Sequence, residues 1–265
     1  MPAEDPTIER ISGLSQTSKD DSPDLAPPRH APVPPTGAVV LFGDRMPLAV
    51  RFVAILTDTG VSHGLVGPRE VPRLWDRHVL NCAVVEDSFP TGAEIIDVGS
   101  GAGLPGIALA LVRSDLTVRL IEPMLRRTSW LDEVVRDLGL KNVTVHRGRA
   151  EEFAGTMRAP WVTARAVARL GKLARWCSPL LSPGGTLVAL KGRSVDQELE
   201  EDRAELAQLG VRSVTITEHG QGIVSEPVRT VDLTFALPPE PGAAREWIAS
   251  DPRAQRRGAR GRRRS

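Results

Sequence analysis

The chain has little cysteine, no long apolar run and no histidine cluster, and each shortage removes a class of protein. Of 265 residues only Cys82 and Cys177 are cysteines. They lie far apart with no C-x-x-C pair, so the sequence offers neither a disulfide framework nor zinc-site spacing, and both read as small buried side chains. No stretch approaches the roughly 20 apolar residues of a membrane helix. The first residues are acidic and proline-rich, unlike a secretory leader. A cytoplasmic protein without membrane contact is expected. His30, His63, His78, His146 and His219 are dispersed without ligand spacing, which argues for structural roles and against a metal site. G-x-S-x-G, Walker and H-E-x-x-H patterns are also missing.

An apolar content of 41% is enough for a substantial core. The formal net charge of +1 conceals a gradient. Residues 1–36 hold six acids against three bases, whereas residues 252–265 hold seven arginines and no acid. A nearly neutral body with a basic tail points to a polyanionic partner, because guanidinium groups displace counterions from phosphates. Residues 1–36 also contain eight prolines and no aromatic side chain. They cannot bury enough apolar surface to offset the entropy of ordering, so a disordered extension is expected there. The organisation that follows is a disordered head over 1–36, a helical cap over 37–90, a main domain over 91–238 and an arginine-rich disordered tail over 239–265.

From Pro47 a helical pattern places Ala49, Phe52, Val53 and Leu56 on one face, and Gly60 ends it. A second helix begins at Pro72, with Leu74, Trp75, His78 and Val79, and with Arg73 and Arg77 one turn apart. The chain then alternates strands and helices at the pace of a parallel sheet with crossovers. Strands are expected at Ile95-Ile96, 118–121, 143–146, 161–164 and 186–191. Helices are expected over 105–112, 124–138, 170–181 and 195–209. The helix over 124–138 has the strongest periodicity, with Trp130, Leu131, Val134, Val135 and Leu138 facing inward. The turn Ser182-Pro183-Gly184-Gly185 precedes the fifth strand. The last two strands, 214–216 and 231–235, have no helix between them and must be antiparallel. The fold class is therefore α/β, a Rossmann-like, seven-stranded and mostly parallel sheet closed by a C-terminal antiparallel hairpin and preceded by a helical cap.

Residues 94–106, EIIDVGSGAGLPG, join an apolar strand to an acid and then to a glycine-dense turn. Gly99, Gly101 and Gly103 permit backbone conformations that a Cβ obstructs, and Pro105 is placed to open a helix. Gly101-x-Gly103-x-x-Gly106 also satisfies the dinucleotide fingerprint, with Glu122 at the right distance to grip a ribose. Asp97 tilts the choice. Acid-x-Gly-x-Gly-x-Gly after the first strand is the pattern of methyltransferases that use S-adenosylmethionine, and a carboxylate attracts a sulfonium and an ammonium group but repels a pyrophosphate.

In an open parallel sheet the ligand lies beyond the carboxyl ends of the strands. That rule gathers the glycine loop from Gly99 to Leu104, Glu122 ending strand two, and the Arg147–Glu152 segment after strand three. It also gathers Arg165 after strand four and Lys191-Gly192-Arg193 after strand five. Glu122 can accept both ribose hydroxyls, or cap the following helix. A backbone amide and an acid near 150–151 can read an adenine edge. Arg165 needs a carboxylate or ligand partner, because a charge after an apolar strand is otherwise costly. Gly192 between two cations lets the backbone approach a phosphate, although solvated bases explain that loop equally well.

With these residues in view, the sequence resembles the bacterial RsmG family, also called GidB, whose members methylate N7 of a guanine in the decoding-region loop of 16S ribosomal RNA. The resemblance runs from about Val39 to Phe235. It is carried by Leu74-Trp75-Asp76-Arg77-His78-Val79-Leu80-Asn81, Asp97-Val98-Gly99-Ser100-Gly101-Ala102-Gly103-Leu104-Pro105-Gly106, Arg149-Ala150-Glu151-Glu152-Phe153, Ala164-Arg165-Ala166 and Leu190-Lys191-Gly192. It implies that Gly99, Leu104, Ala150, Glu151 and Arg165 contact S-adenosylmethionine, joined by Gly101 and Glu122 from the reading of the loop. Glu122 stands where many members have aspartate, and Cys82 where a serine is common. The first exchange keeps the carboxylate. The implied partner is 16S rRNA or the 30S subunit; from their place near the crevice, Arg126, Arg127, Arg169, Lys191 and Arg193 are expected to meet the RNA, and a monomer is expected. Two rivals remain at this point: an NAD-dependent oxidoreductase built on the same glycines, and a non-catalytic RNA-binding protein that keeps a methyltransferase fold.

Overall fold

The seven expected strands lie side by side in a single sheet: β1 Glu94–Val98, β2 Thr117–Glu122, β3 Val143–Arg147, β4 Ala159–Arg165, β5 Leu181–Lys191, β6 Val211–His219 and β7 Val228–Phe235. The computed structural model describes residues 31–165, 168–192 and 195–236. The strand order is β3-β2-β1-β4-β5-β7-β6. β1 to β5 run parallel, and β7 is antiparallel to both β5 and β6. β1 has β2 on one side and β4 on the other, so the chain reverses its direction of travel across the sheet at the end of β1. Ligands of open α/β sheets bind at such a point.

Alternate side chains of β1 enter opposite layers, as the two-residue period of a strand requires. Ile95 packs with the cap and with helices α4 (Gly106–Val112) and α5 (Leu125–Asp137), whereas Ile96 packs with α6 (Leu170–Cys177) and α7 (Val195–Gln208). The inward stripe of α5 holds: Trp130, Leu131, Val134 and Leu138 are buried and Val135 is half-buried.

Several boundaries differ from the sequence reading. Pro105 sits at the cap position before α4, one residue earlier than expected, and the Leu104–Pro105 peptide bond is cis. The helix expected to reach Leu181 stops at Cys177 and tightens into a 3-10 turn over Ser178–Leu180. Pro179 supplies no amide to continue the α ladder. β5 starts at Leu181, and the Ser182–Gly185 turn becomes a bulge within it, for β4 advances from Ala159 to Trp161 while its partner advances from Leu181 to Thr186. The hairpin strands are also longer than their apolar centres suggested.

The cap is less regular than two α-helices. α1 (Thr36–Phe42), which has no counterpart among the expected helices, precedes α2 (Met46–Ile55), and α2 widens into a π turn over Leu56–Gly60. The hydroxyls of Thr57 and Thr59 donate back to the carbonyls of Val53 and Ile55, competing with the backbone ladder there. The expected helix from Pro72 is a 3-10 turn over Pro68–Arg73, a π turn over Leu74–Val79 and the short α3 (Leu80–Ala83). The indole of Trp75 donates to the carbonyl of Pro32, which fastens the start of the described chain to the cap. Most of the head expected to be disordered, and the tail beyond Ala236, lie outside the described residues. Among the described residues no helix is long and apolar enough to cross a membrane.

Candidate functional site

The glycine loop closes the end of β1 and is fixed from three directions. The amides of Gly99 and Ser100 donate to the carbonyl of Ile121, extending the β1–β2 pairing beyond the strands. Gly101 has φ +53°, a conformation that disfavours any Cβ, and its amide donates to Glu122 Oε2 at 3.1 Å. The other carboxylate oxygen of Glu122 accepts from the amide of Met124 at 3.1 Å. Glu122 is only 2% exposed, so two amides hold a nearly buried carboxylate at the lip of the loop. Arg127 Nη1 approaches it to 3.6 Å.

Asp97 turns out differently from the sequence reading. It is fully buried, and its Oδ2 accepts the amide of Gly106 at 3.0 Å. Burial pushes its pKa up to about 7, against the Gly106 amide and the nearby Arg165 cation that favour the charged form. Its Oδ1 accepts no hydrogen bond among the described residues. In place of a carboxylate offered to a cationic ligand, Asp97 is a clasp between strand and helix. Gly106 is required by the same clasp, because a Cβ there would lie 2.3 Å from Leu120 Cδ2 and 2.8 Å from Asp97 Oδ2.

A cleft of about 240 Å³ opens beside the loop. Gly99 forms one side, Ile121 and Pro123 flank Glu122, and Ala150 and Glu151 close the far side, with Trp176 of α6 along its wall. Ala150 and Glu151 open the 3-10 turn Ala150–Phe153, whose first amides have no partner within the turn. Gly99, Ala150 and Glu151 therefore share one cleft, and Glu122, between the lining residues Ile121 and Pro123, adjoins it and holds Gly101 through its hydrogen bond. Leu104 is buried where the loop meets the cap-side core. Arg165 ends β4 and donates through Nη1 to the carbonyl of Arg77 at 3.5 Å, drawing the cap toward the sheet. No carboxylate pairs with Arg165 among the described residues. Beside it, His78 bonds to Glu70 at 2.8 Å, and burial lowers its pKa.

The five candidate substrate cations fare unequally. Arg126 is exposed on the first turn of α5, and Arg127 is half-exposed next to it. Arg169 is tied to Glu201 and lies 3.6 Å from Asp202 on α7. Lys191 is corrected most sharply. Its side chain is 9% exposed, and its Nζ donates to Glu198 Oε2 at 2.7 Å and to the carbonyl of Ala168 at 2.8 Å. It is a tether between β5 and α7, not a base held out in a loop. Arg193 lies outside the described residues. The structural reading of the histidines suits His219, which is buried between Asp87 and Thr230. Sequence reasoning missed Trp176, which lies off the apolar stripe of α6 and carries no motif.

An adenosine requires a fixed acceptor for ribose hydroxyls, exposed amides for the base edge and an apolar slot. Glu122, the turn at Ala150 and the slot formed by Ile121, Pro123 and Trp176 fit that requirement. Together with the strand order, this arrangement defines a Rossmann-like methyltransferase that uses S-adenosylmethionine. The mitomycin 7-O-methyltransferase MmcR shares the fold, with a TM-score of 0.50 at 16% identity over 74% of this chain and 67% of that one.

The profile of the GidB family, described as rRNA small subunit methyltransferase G, matches residues 45–226. A relative from Thermobifida fusca (strain YX), named Ribosomal RNA small subunit methyltransferase G, is 52% identical over 210 residues, covering 79% of this chain and 89% of its own. One from Streptomyces coelicolor, with the same name, is 51% identical over 234 residues, covering 88% and 97%. The chain belongs to the GidB family of small-subunit rRNA methyltransferases. That membership removes the dinucleotide reading of the glycines.

Proposed function

We propose that the protein methylates N7 of a guanine in the decoding-region loop of 16S rRNA, with S-adenosylmethionine as donor, and that it acts in the cytoplasm as a monomer. The observation that carries the cofactor half is the pair of amide bonds that fixes Glu122 beside the glycine loop at the end of β2. When bound, the cofactor supplies an electrophilic methyl group on a sulfonium sulfur. Glu122 holds the ribose, the amides of Ala150 and Glu151 take the adenine edge, and Gly99, Gly101 and Leu104 shape the backbone that the ligand lies against. Arg165, a cation without a carboxylate partner among the described residues, stands at the opposite end of the site below the cap.

The chemistry asks little of acids and bases. N7 of guanine carries a lone pair and no proton, so no side chain has to accept one. The titratable groups nearby are already engaged, His78 by Glu70 and Asp97 by Gly106. Rate enhancement then comes from alignment and from exclusion of water, an effect that supplies roughly 7–11 kcal/mol in well-oriented systems. Arg126 and Arg127 flank the approach to the cleft. The arginines of residues 252–265 add attraction to phosphate without sequence preference.

The test is transfer of a labelled methyl group from S-adenosylmethionine to small ribosomal subunits that lack the modification, followed by mapping of the methylated nucleotide. Label on a different atom or a different RNA overturns the assignment, and binding of RNA without transfer favours the non-catalytic alternative.

A further inference from the structure

We infer that Trp176 determines adenine recognition in the cofactor cleft, its indole forming the wall against which the base packs. The inference deepens the cofactor reading above and rests on it.

The stripe that α6 turns inward is Leu170, Leu173, Ala174 and Cys177, at the i, i+3, i+4, i+7 spacing of a core face. Trp176 is off that stripe. It is only half-buried, yet it lies along the same cleft as Gly99, Ala150 and Glu151. A large aromatic side chain on the outer flank of a helix, exposed to a cavity, gains its full apolar contact only when the cavity is filled. Its setting is prepared for that. The ammonium of Lys172, one turn earlier, sits over the indole ring 4.8 Å from the centroid. A cation on one face of the ring orients the side chain by attraction to its π density and leaves the remaining surface to the cleft. Gly148 lines the same cleft and brings no side chain into it. Ile121 and Pro123 line the same cleft and add to its apolar surface. The adenine is the flat, apolar-faced part of the cofactor, and the positions of Glu122 and Ala150 put that part at this end.

Isothermal calorimetry tests the inference with two probes, S-adenosylhomocysteine and 5′-methylthioadenosine, the second of which lacks the amino-acid end. Stacking of a base on an aromatic side chain is worth about 1–3 kcal/mol by alanine substitution, so Trp176→Ala should raise both dissociation constants about tenfold. Trp176→Phe, which keeps a flat ring, should stay close to wild type, and neither change should alter affinity for rRNA. In wild type, S-adenosylhomocysteine should change tryptophan emission, and in Trp176→Phe most of that change should vanish while calorimetry still detects binding. Should Trp176→Ala fail to fold, the emission of the Phe variant decides alone. Unchanged affinities in the Ala variant, a full emission change in the Phe variant, or a loss confined to rRNA binding each overturns the role of Trp176. If wild-type protein binds neither probe, the cofactor reading itself fails.

Discussion

The amide of Gly106 donates to Oδ2 of Asp97 at 3.0 Å, so the acid one residue before the end of β1 is spent on holding α4. The bond is buried, and the other carboxylate oxygen accepts no hydrogen bond among the described residues. A carboxylate sealed in this way is easier to protonate than one in water, and burial raises its pKa from the ordinary value to about 7.

Stability should therefore depend on pH in part through Asp97. The folded chain holds the Asp97 proton up to about pH 7, whereas the unfolded chain releases it near the ordinary 3.8. More protons are bound in the folded state between those values, so the contribution is complete at the acid end and is lost as pH rises through 7. Asp97→Asn stays neutral and keeps an oxygen for the Gly106 amide. The difference in urea midpoint between this variant and wild type should grow in the variant's favour from pH 5 to pH 8. A difference that stays constant across that range sinks the assignment.

Glu122 should be the most sensitive carboxylate in cofactor binding. Both of its oxygens accept backbone amides, and Glu122→Gln replaces one acceptor with a donor that faces the amide of Gly101 or Met124. The loop loses its lip and the ribose loses its acceptor. The dissociation constant for S-adenosylhomocysteine should rise at least tenfold, about 1.4 kcal/mol, with affinity for rRNA unchanged. Titration calorimetry on the variant checks both values.

Strand positions, the glycine loop and the meeting of Gly99, Ala150 and Glu151 in one cleft beside Glu122 were legible in the sequence, since each depends on local pattern or on the rule that ligands sit at strand ends. The role of Asp97 was not, because its burial comes from the helix packed over it. Lys191 was misread for a related reason. Its partner Glu198 lies on the next helix, and nothing local separates a tethered lysine from a solvated one. The bulge at Ser182–Gly185 is dictated by pairing with β4, and the π turns of the cap by threonines that bond backward, so neither follows from hydrophobic period. Trp176 lay outside every motif, visible only once α6 had a neighbour.

Lys191 should matter for stability and not for RNA. Lys191→Met takes from Glu198 the ammonium 2.7 Å away, although Glu198 still accepts the amide of Leu170, and breaking a buried ion pair costs about 3–5 kcal/mol. The side chain of Glu198 is 18% exposed, so a smaller loss of about 2–3 kcal/mol, at or below the lower end of that range, is expected for Lys191→Met. Chemical denaturation measures the loss. The salt dependence of rRNA binding by the folded variant should match wild type, and a shallower slope would restore Lys191 to the RNA surface.

Arg126 should behave in the opposite way. It is exposed on the first turn of α5, beside Arg127 in the chain, and no acid pairs with it among the described residues. If it touches a phosphate of the substrate, Arg126→Ala removes one neutralised charge. The slope of log affinity against log salt should then flatten by about 0.7 for a single-stranded loop or 0.9 for a duplex. Folding stability should stay within about 0.5 kcal/mol, as for other surface changes. Deleting residues 252–265 should flatten the slope further, in proportion to however many of its seven arginines meet phosphate, and leave affinity for S-adenosylhomocysteine intact. The two effects should add if the tail and Arg126 neutralise different phosphates. Filter binding of the wild type, both single changes and the combination across a salt series measures all four slopes, and an Arg126→Ala slope equal to wild type removes that residue from the RNA-facing rim.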